Sequence, residues 1–244
     1  YRFIFSHLMT TFVLMTLPYL SQLRLMQLSD SALPIGSTAH SFGLETLVAQ
    51  GELTVVDLPQ FLADYLMEVG RMEGLFCRLA YRLPPDFVAD WLQLNAQLSA
   101  LKLARESRAA SATLGKRFLQ LVVSLEADPR LTHALNEAIT TKTEIHHATA
   151  FGLVGAILGS AEELTVLTYL QQSVACLVST CQRLLPLGQK QAAHLLWQLK
   201  PIIMKATAQS EAVDLDSEAM YTFTPFLDLA SMQHPTLATR LFIS

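Results

Sequence analysis

Cysteine, charge, glycine and proline are all scarce in this chain, and each shortage excludes something. Three cysteines, Cys77, Cys176 and Cys181, in 244 residues are too few, and odd in number, for a disulfide-stapled scaffold, and they point to a reducing compartment. Cys176 and Cys181 lie five positions apart, which turns them about 140° from each other on a helix. They make poor joint ligands, and all three read as small buried hydrophobes. Charged residues are 16% of the chain, against about 25% in an average soluble domain. With 17 Lys+Arg against 21 Asp+Glu, a formal net charge of −4 and no long basic run, counterion release has little to act on, so no nucleic-acid partner is expected. Ten glycines and ten prolines leave long unbroken segments, and alternating strand patterns are essentially missing.

Apolar residues fill the space these absences leave: they make up 51% of the chain, and the mean hydropathy is +0.34. Such a surplus requires a large core, a membrane or a covering partner. Phe3 to Leu23 carries no formal charge, but Ser6, Thr10, Thr11, Thr16, Pro18 and Ser21 dilute it and no Ala-x-Ala cleavage site follows. No other stretch has the apolar length of a bilayer span. The chain opens on Tyr1; translation is expected to start at Met9 or Met15, with residues 1–20 an unmatched apolar extension. The expectation is a cytoplasmic chain with no membrane partner.

Helical periods run through the rest. Leu20 to Leu28 reads as a helix stopped by the turn Ser31 to Gly36, and His40 to Ala49 as a second closed by Gly51. Asp57 and Pro59 open a third, with Phe61, Leu62, Tyr65, Leu66 and Val69 on one face and Gly70 and Gly74 bending the chain beyond them. After Pro84-Pro85 come helices at Phe87 to Leu103, Arg105 to Leu125, a short one from Asp128-Pro129, Ile145 to Leu158, Ala161 to Leu184 and Gln189 to Gln209. Beyond Glu211 the chain turns acidic and irregular. The expected fold is all-α, a single-domain bundle of about eight to ten helices over residues 21–213 with an irregular tail at 214–244.

Catalytic templates fail one by one. Gly115-Lys116 is followed by Arg117, with Ala110 where a phosphate loop needs glycine. Glu144-x-x-His147 is a single copy where a di-iron bundle needs two, and there is no His-Glu-x-x-His or Gly-x-Ser-x-Gly. Adjacent His146 and His147 diverge by about 100°, which favours capping or core-edge roles over shared ligation. In Ala148 to Gly159, Gly152, Gly155 and Gly159 each cost about 1 kcal/mol relative to Ala inside a helix, so another backbone is expected to approach closely there, within the domain first and across a dimer or partner contact second.

Four ordered strings carry a resemblance. Gln27 to Gly36 with His40-Ser41-Phe42-Gly43-Leu44-Glu45 resembles the N-terminal signature of the urease accessory protein UreF family. His146 to Gly152 is similar to that family's central helix, Arg183 to Gln189 to its turn before a long helix, and Leu227 to His234 with Thr239 to Ser244 to its C-terminal segment. The resemblance implies an all-α, non-enzymatic protein that forms a homodimer and bridges UreD (also called UreH) and the GTPase UreG in delivering nickel to apo-urease. No cofactor, metal or catalytic residue is implied for this subunit, and the complex handles the nickel.

The residues the resemblance offers as partner-binding are Gly36, His40, Ser41, Gly43 and Glu45, then Arg183, Gly188 and Gln189, and in the tail His234, Arg240, Leu241 and Phe242. Glu45 also reads as an ordinary solvent-facing helix residue, and Arg183 as a cation favoured near a helix end. The tail departs from the family pattern at Gln233 (commonly Arg), Pro235 (commonly Glu) and Ala238-Thr239 (commonly Tyr-Ser), which removes a salt bridge but leaves the anchor. The tail is expected to be mobile in the free protein, its acidic Asp214 to Met220 stretch included, and ordered on a partner. Direct nickel chaperoning through His40, His146, His147 or His234 is the alternative, although no pair has i, i+4 spacing. An all-α enzyme is the remote one.

Overall fold

A computed structural model describes residues 19–211 and 224–244. The expected N-terminal extension falls mostly outside the described residues, as does the acidic stretch Asp214 to Met220. The fold is all-α, with no strand among the described residues. Helix α1 covers residues 19–28, followed by α2 (Leu44–Ala49), α3 (Leu58–Tyr65), α4 (Arg71–Tyr81), α5 (Val88–Leu101), α6 (Arg105–Leu125) and α7 (Pro129–Thr141). Then come α8 (His147–Ile157), α9 (Glu162–Leu184), α10 (Gln189–Gln198), α11 (Lys200–Gln209) and α12 (Pro225–Gln233).

Two breaks raise the helix number above the eight to ten expected. Between α3 and α4 the chain runs through a π-helical turn at Leu66–Gly70, in the region where the sequence predicts a bend at Gly70. The segment expected as one helix from Gln189 to Gln209 divides at Leu199, because Pro201 has no N–H for the carbonyl one turn back. The second helix starts at Leu44 and not His40, since Phe42 (φ 52°) and Gly43 (φ 90°) are left-handed. Within the expected irregular tail, Pro225–Gln233 is a helix.

Helix α8 is the axle. Nine of its eleven residues are buried, and it packs chiefly on α4 and α6, with α9 alongside. A Cβ on Gly152 would stand 1.9 Å from the Cys77 carbonyl oxygen of α4, so the close backbone approach expected from the small residues is made inside the domain. At Gly115 of α6 the same construction falls 2.1 Å from the Ile145 carbonyl oxygen. Asn95 of α5 orients the start of α8: its Oδ1 accepts from the His146 N–H at 2.7 Å and the Thr149 hydroxyl at 2.6 Å, while its Nδ2 donates to the Trp91 carbonyl at 2.9 Å. Trp91, Phe76, Phe118, Phe151 and Tyr169 fill the surrounding core. Helix α9 is long and apolar enough to cross a membrane, but over half of its most apolar window is buried within this fold.

All three cysteines are free thiols, Cys77 and Cys181 buried and Cys176 partly so. Burial raises each of their pKa values, that of Cys181 to about 12.

Candidate functional site

The chain's first signature block and its last residues meet. A 3-10 turn, Ser37–Ala39, leads into Phe42, whose positive φ costs a non-glycine residue on the order of 1–2 kcal/mol. At Gly43 an added Cβ would sit 3.0 Å from the Leu227 carbonyl oxygen of α12, so glycine lets the tail helix rest directly on this turn. Helix α2 comes next, and its first turn aims Glu45 inward.

Glu45 is 5% exposed. Its Oε1 accepts from the Leu241 N–H, and its Oε2 from the Phe242 N–H at 3.2 Å and from His234 Nε2 at 2.8 Å. The other nitrogen of His234, Nδ1, lies 2.7 Å from Oε2 of Glu106 on α6. The ring thus stands between two carboxyl groups, one against each nitrogen. Burial pushes the Glu45 carboxyl upward, but the Leu241 N–H, the His234 ring and the Phe242 N–H outweigh it and hold the group below the usual carboxylate range.

Residues 241–244, bent at 241 and 242, then close on the turn. The Ile243 N–H donates to the Ala39 carbonyl at 2.9 Å, the Ser41 N–H donates to the Ser244 carbonyl, and His40 Nδ1 meets the Ser244 hydroxyl at 2.7 Å. Phe242 and Ser244 point in, 4% and 6% exposed, while Leu241 and Ile243 point out at 65% and 70%. The Arg183 guanidinium lies 4.2 Å over the Phe242 ring and donates to the Thr38 carbonyl at 2.7 Å. Gln233 accepts from Gln50 Nε2 at 2.8 Å, so the departure from arginine still leaves a tie to α2.

The residues offered as partner-binding thus divide. Glu45 is not solvent-facing, and with His40, Ser41, His234 and Phe242 it is buried, fastening the tail to the chain's own body. Of the expected apolar anchor, Phe242 finds a pocket at home while Leu241 stays exposed. Gly36 and Gly43 shape the turn from positive φ. Arg183, Arg240 and Leu241 are exposed beside the tail, whereas Gly188 and Gln189 are exposed at the start of α10, where the Gly188 N–H is capped by Gln191 Oε1 at 3.0 Å. Sequence reasoning misses Glu106, for a first-turn glutamate gives no sign of what it will meet.

Beneath the turn lie two small chambers, of about 50 and about 70 Å³, with only Phe42, Tyr65 and Glu73 common to both linings. Glu73 accepts from Lys102 Nζ at 2.5 Å and from the Tyr169 hydroxyl at 2.8 Å. Burial raises its pKa, but the Lys102 charge and these hydrogen bonds bring it below the ordinary value. The inner chamber reaches His147, Gln172 and Cys176; His147 Nε2 and Gln172 Oε1 are buried without a hydrogen-bond partner among the described residues. His147 sits among Phe118, Phe151 and Tyr169, and burial lowers its pKa to about 4. His146 diverges from it as the helical period requires: its ring bonds the Ser99 and Ser111 hydroxyls, and burial brings its pKa to about 3. Among the described residues no group of three His, Cys, Asp or Glu side chains could hold a metal ion.

Comparison with known proteins gives one consistent result. A family model described as UreF matches residues 54–200. A protein named urease accessory protein UreF from Geobacillus kaustophilus (strain HTA426) is 36% identical over 225 residues, covering 90% of this chain and 96% of the relative. One of the same name from Lachnoclostridium phytofermentans is 34% identical over 226 residues, 91% and 98% of the two chains, and one from Trichodesmium erythraeum is 34% identical over 224 residues, 91% and 96%.

Proposed function

This chain belongs to the UreF family of urease accessory proteins, and from that premise we propose that it is a non-enzymatic scaffold, in which the fastened tail is a docking platform for a UreD/UreH partner. The same subunit, as a cytoplasmic homodimer, positions the GTPase UreG and couples its nucleotide state to nickel delivery into apo-urease. A scaffold biases a GTPase only by contacting its nucleotide states unequally, so its reagents are surfaces.

The outward side of the tail carries this reading. Phe226, Leu229 and Met232 recur every third residue along α12, and with Leu241 and Ile243 they are 48% to 70% exposed. Burying an apolar side chain contributes on the order of 1.5–3 kcal/mol, so these five offer a partner considerable free energy. Because Glu45, His234 and Phe242 already hold the segment to the body, the partner meets a formed surface and bears less of the ordering cost. Arg240 and Arg183 stand beside it as charge-assisted hydrogen-bond donors for a partner carboxylate.

Co-purification with the accessory proteins of a urease operon tests this. The wild-type chain is expected to bring down both the UreD-type protein and the GTPase and to support urease activation. Leu229→Asp with Leu241→Asp keeps the helical spectrum and loses the UreD-type protein and activation. Normal capture by that variant overturns the platform.

A further inference from the structure

The two chambers under the signature turn are separated by very little. Of the three residues common to both linings, Tyr65 belongs to helix α3 and Glu73 is clamped by Lys102 and Tyr169. Phe42 alone lies in a loop, and its backbone is left-handed at φ 52°. A phenylalanine relaxes from that conformation toward negative φ unless its neighbours over-determine it. Here the neighbours are the turn's own bond, from the Leu44 N–H to the Ser41 carbonyl at 3.1 Å, and the tail. Ser41, immediately before Phe42, gives its N–H to the Ser244 carbonyl, Ala39 takes the Ile243 N–H at 2.9 Å, and His40 holds the Ser244 hydroxyl at 2.7 Å while its ring lies 6.1 Å from the Phe42 ring.

We infer that Phe42 is a gate between the two chambers, held closed by the pairing of Ile243 and Ser244 with residues 39–41. When those backbone bonds part, only the Leu44 N–H to Ser41 carbonyl bond still holds the turn, Phe42 is freed to leave the left-handed region, and the ring swings out of the partition. The chambers then join, and the buried acceptors His147 Nε2 and Gln172 Oε1 become reachable by water and by small donor-bearing solutes entering past Lys102 and Asp228. The tail therefore does two jobs: its outer side is a surface, and its inner edge is a latch. The latch works in the same way whichever protein engages the tail.

Cys176 lines the inner chamber and reports the gate. Its reaction with methyl methanethiosulfonate, followed by mass spectrometry on the full chain, is measured with the fully buried Cys77 and Cys181 as internal references. Ile243→Pro removes the donor to Ala39 and is expected to accelerate Cys176 labelling about tenfold or more, as is deletion of residues 243–244, because labelling follows the population of the open form. Phe42→Ala gives a similar rise with the tail intact, and combining it with Ile243→Pro adds little. An unchanged rate in Phe42→Ala overturns the gate. A rate within twofold of wild type in Ile243→Pro, or accelerations that multiply in the double variant, overturn its control by the tail. If the tail variants expose Cys77 as well, they have lost the fold, and whether Ser244→Ala, which removes only the hydroxyl held by His40, raises the rate decides for or against the latch.

Discussion

His234 and Glu45 stand 189 positions apart in sequence and 2.8 Å apart in space, ring nitrogen against carboxylate, with their side chains 0% and 6% exposed. Removing the Glu45 carboxyl leaves the buried His234 ring nitrogen without its hydrogen-bond partner, a loss of about 1–3 kcal/mol. Glu45→Ala also strips the Leu241 and Phe242 N–H groups of their acceptor. It is expected to abolish hydrogen-exchange protection across residues 237–244 while α4, α8 and α9 keep theirs, and Glu45→Gln to fall between. Full protection of the tail in Glu45→Ala contradicts the latch.

Acid should weaken the whole fold through His146 and His147. Burial lowers their pKa values to about 3 and about 4 from 6.5, so below pH 6.5 the unfolded chain binds protons that the folded chain refuses. Their stabilising contribution is complete above pH 6.5 and drains as pH falls toward the folded values, at about 1.4 kcal/mol per pH unit for each histidine. Urea midpoints measured from pH 7.5 to 4.5 should fall steeply below 6.5. His147→Phe, if it folds, should flatten that slope, and an unchanged slope contradicts the assignment.

Gly152→Ala is expected to cost well over the 1–3 kcal/mol of ordinary overpacking, because the new methyl would lie 1.9 Å from a backbone oxygen that no rotamer change can move. Gly188→Ala, whose Cβ would meet only the flexible Gln191 side chain at 3.5 Å, should be nearly neutral. Equal urea midpoints for the two variants would contradict the α4–α8 approach.

Isothermal titration of the isolated chain with GTP and magnesium should give no saturable binding, for the one Gly-Lys pair, Gly115-Lys116, lies inside helix α6 and not in a loop. Saturable binding contradicts the scaffold reading.

Much of this is legible in the sequence, for specific reasons. The sequence places helix α6 at its observed limits, Arg105 and Leu125, and the small residues of α8 announce the approach that Gly152 makes to α4. Local signals fix such features: periodicity, a capping aspartate at Asp128, glycines spaced for contact. The seating of the tail on the body is not legible in the sequence because its contacts lie far away along the chain. Phe242 reads as an apolar residue in need of a pocket, and nothing local says that the 36–43 turn and Arg183 build one. The same holds for Glu45, whose helix is only six residues long, too short for periodicity to tell an inward from an outward carboxylate. The left-handed Phe42 is equally hidden, since a phenylalanine gives no hint of it.

The Glu45 carboxylate also dates the moment at which this chain can finish folding. Its acceptor sites are filled by His234, Leu241 and Phe242, so no nascent chain that has yet to reach Phe242 can complete them. At about 5–20 residues per second on the ribosome, the 189 positions between Glu45 and His234 correspond to roughly 10–40 s, during which α2 carries an unpaired carboxylate and the signature turn is uncovered. A chain that stops before Leu241 would keep its helices and lack the closing contacts, leaving the signature turn uncovered. Closure of the tail is thus a late event in synthesis, set by the distance along the chain between Glu45 and the groups that satisfy it.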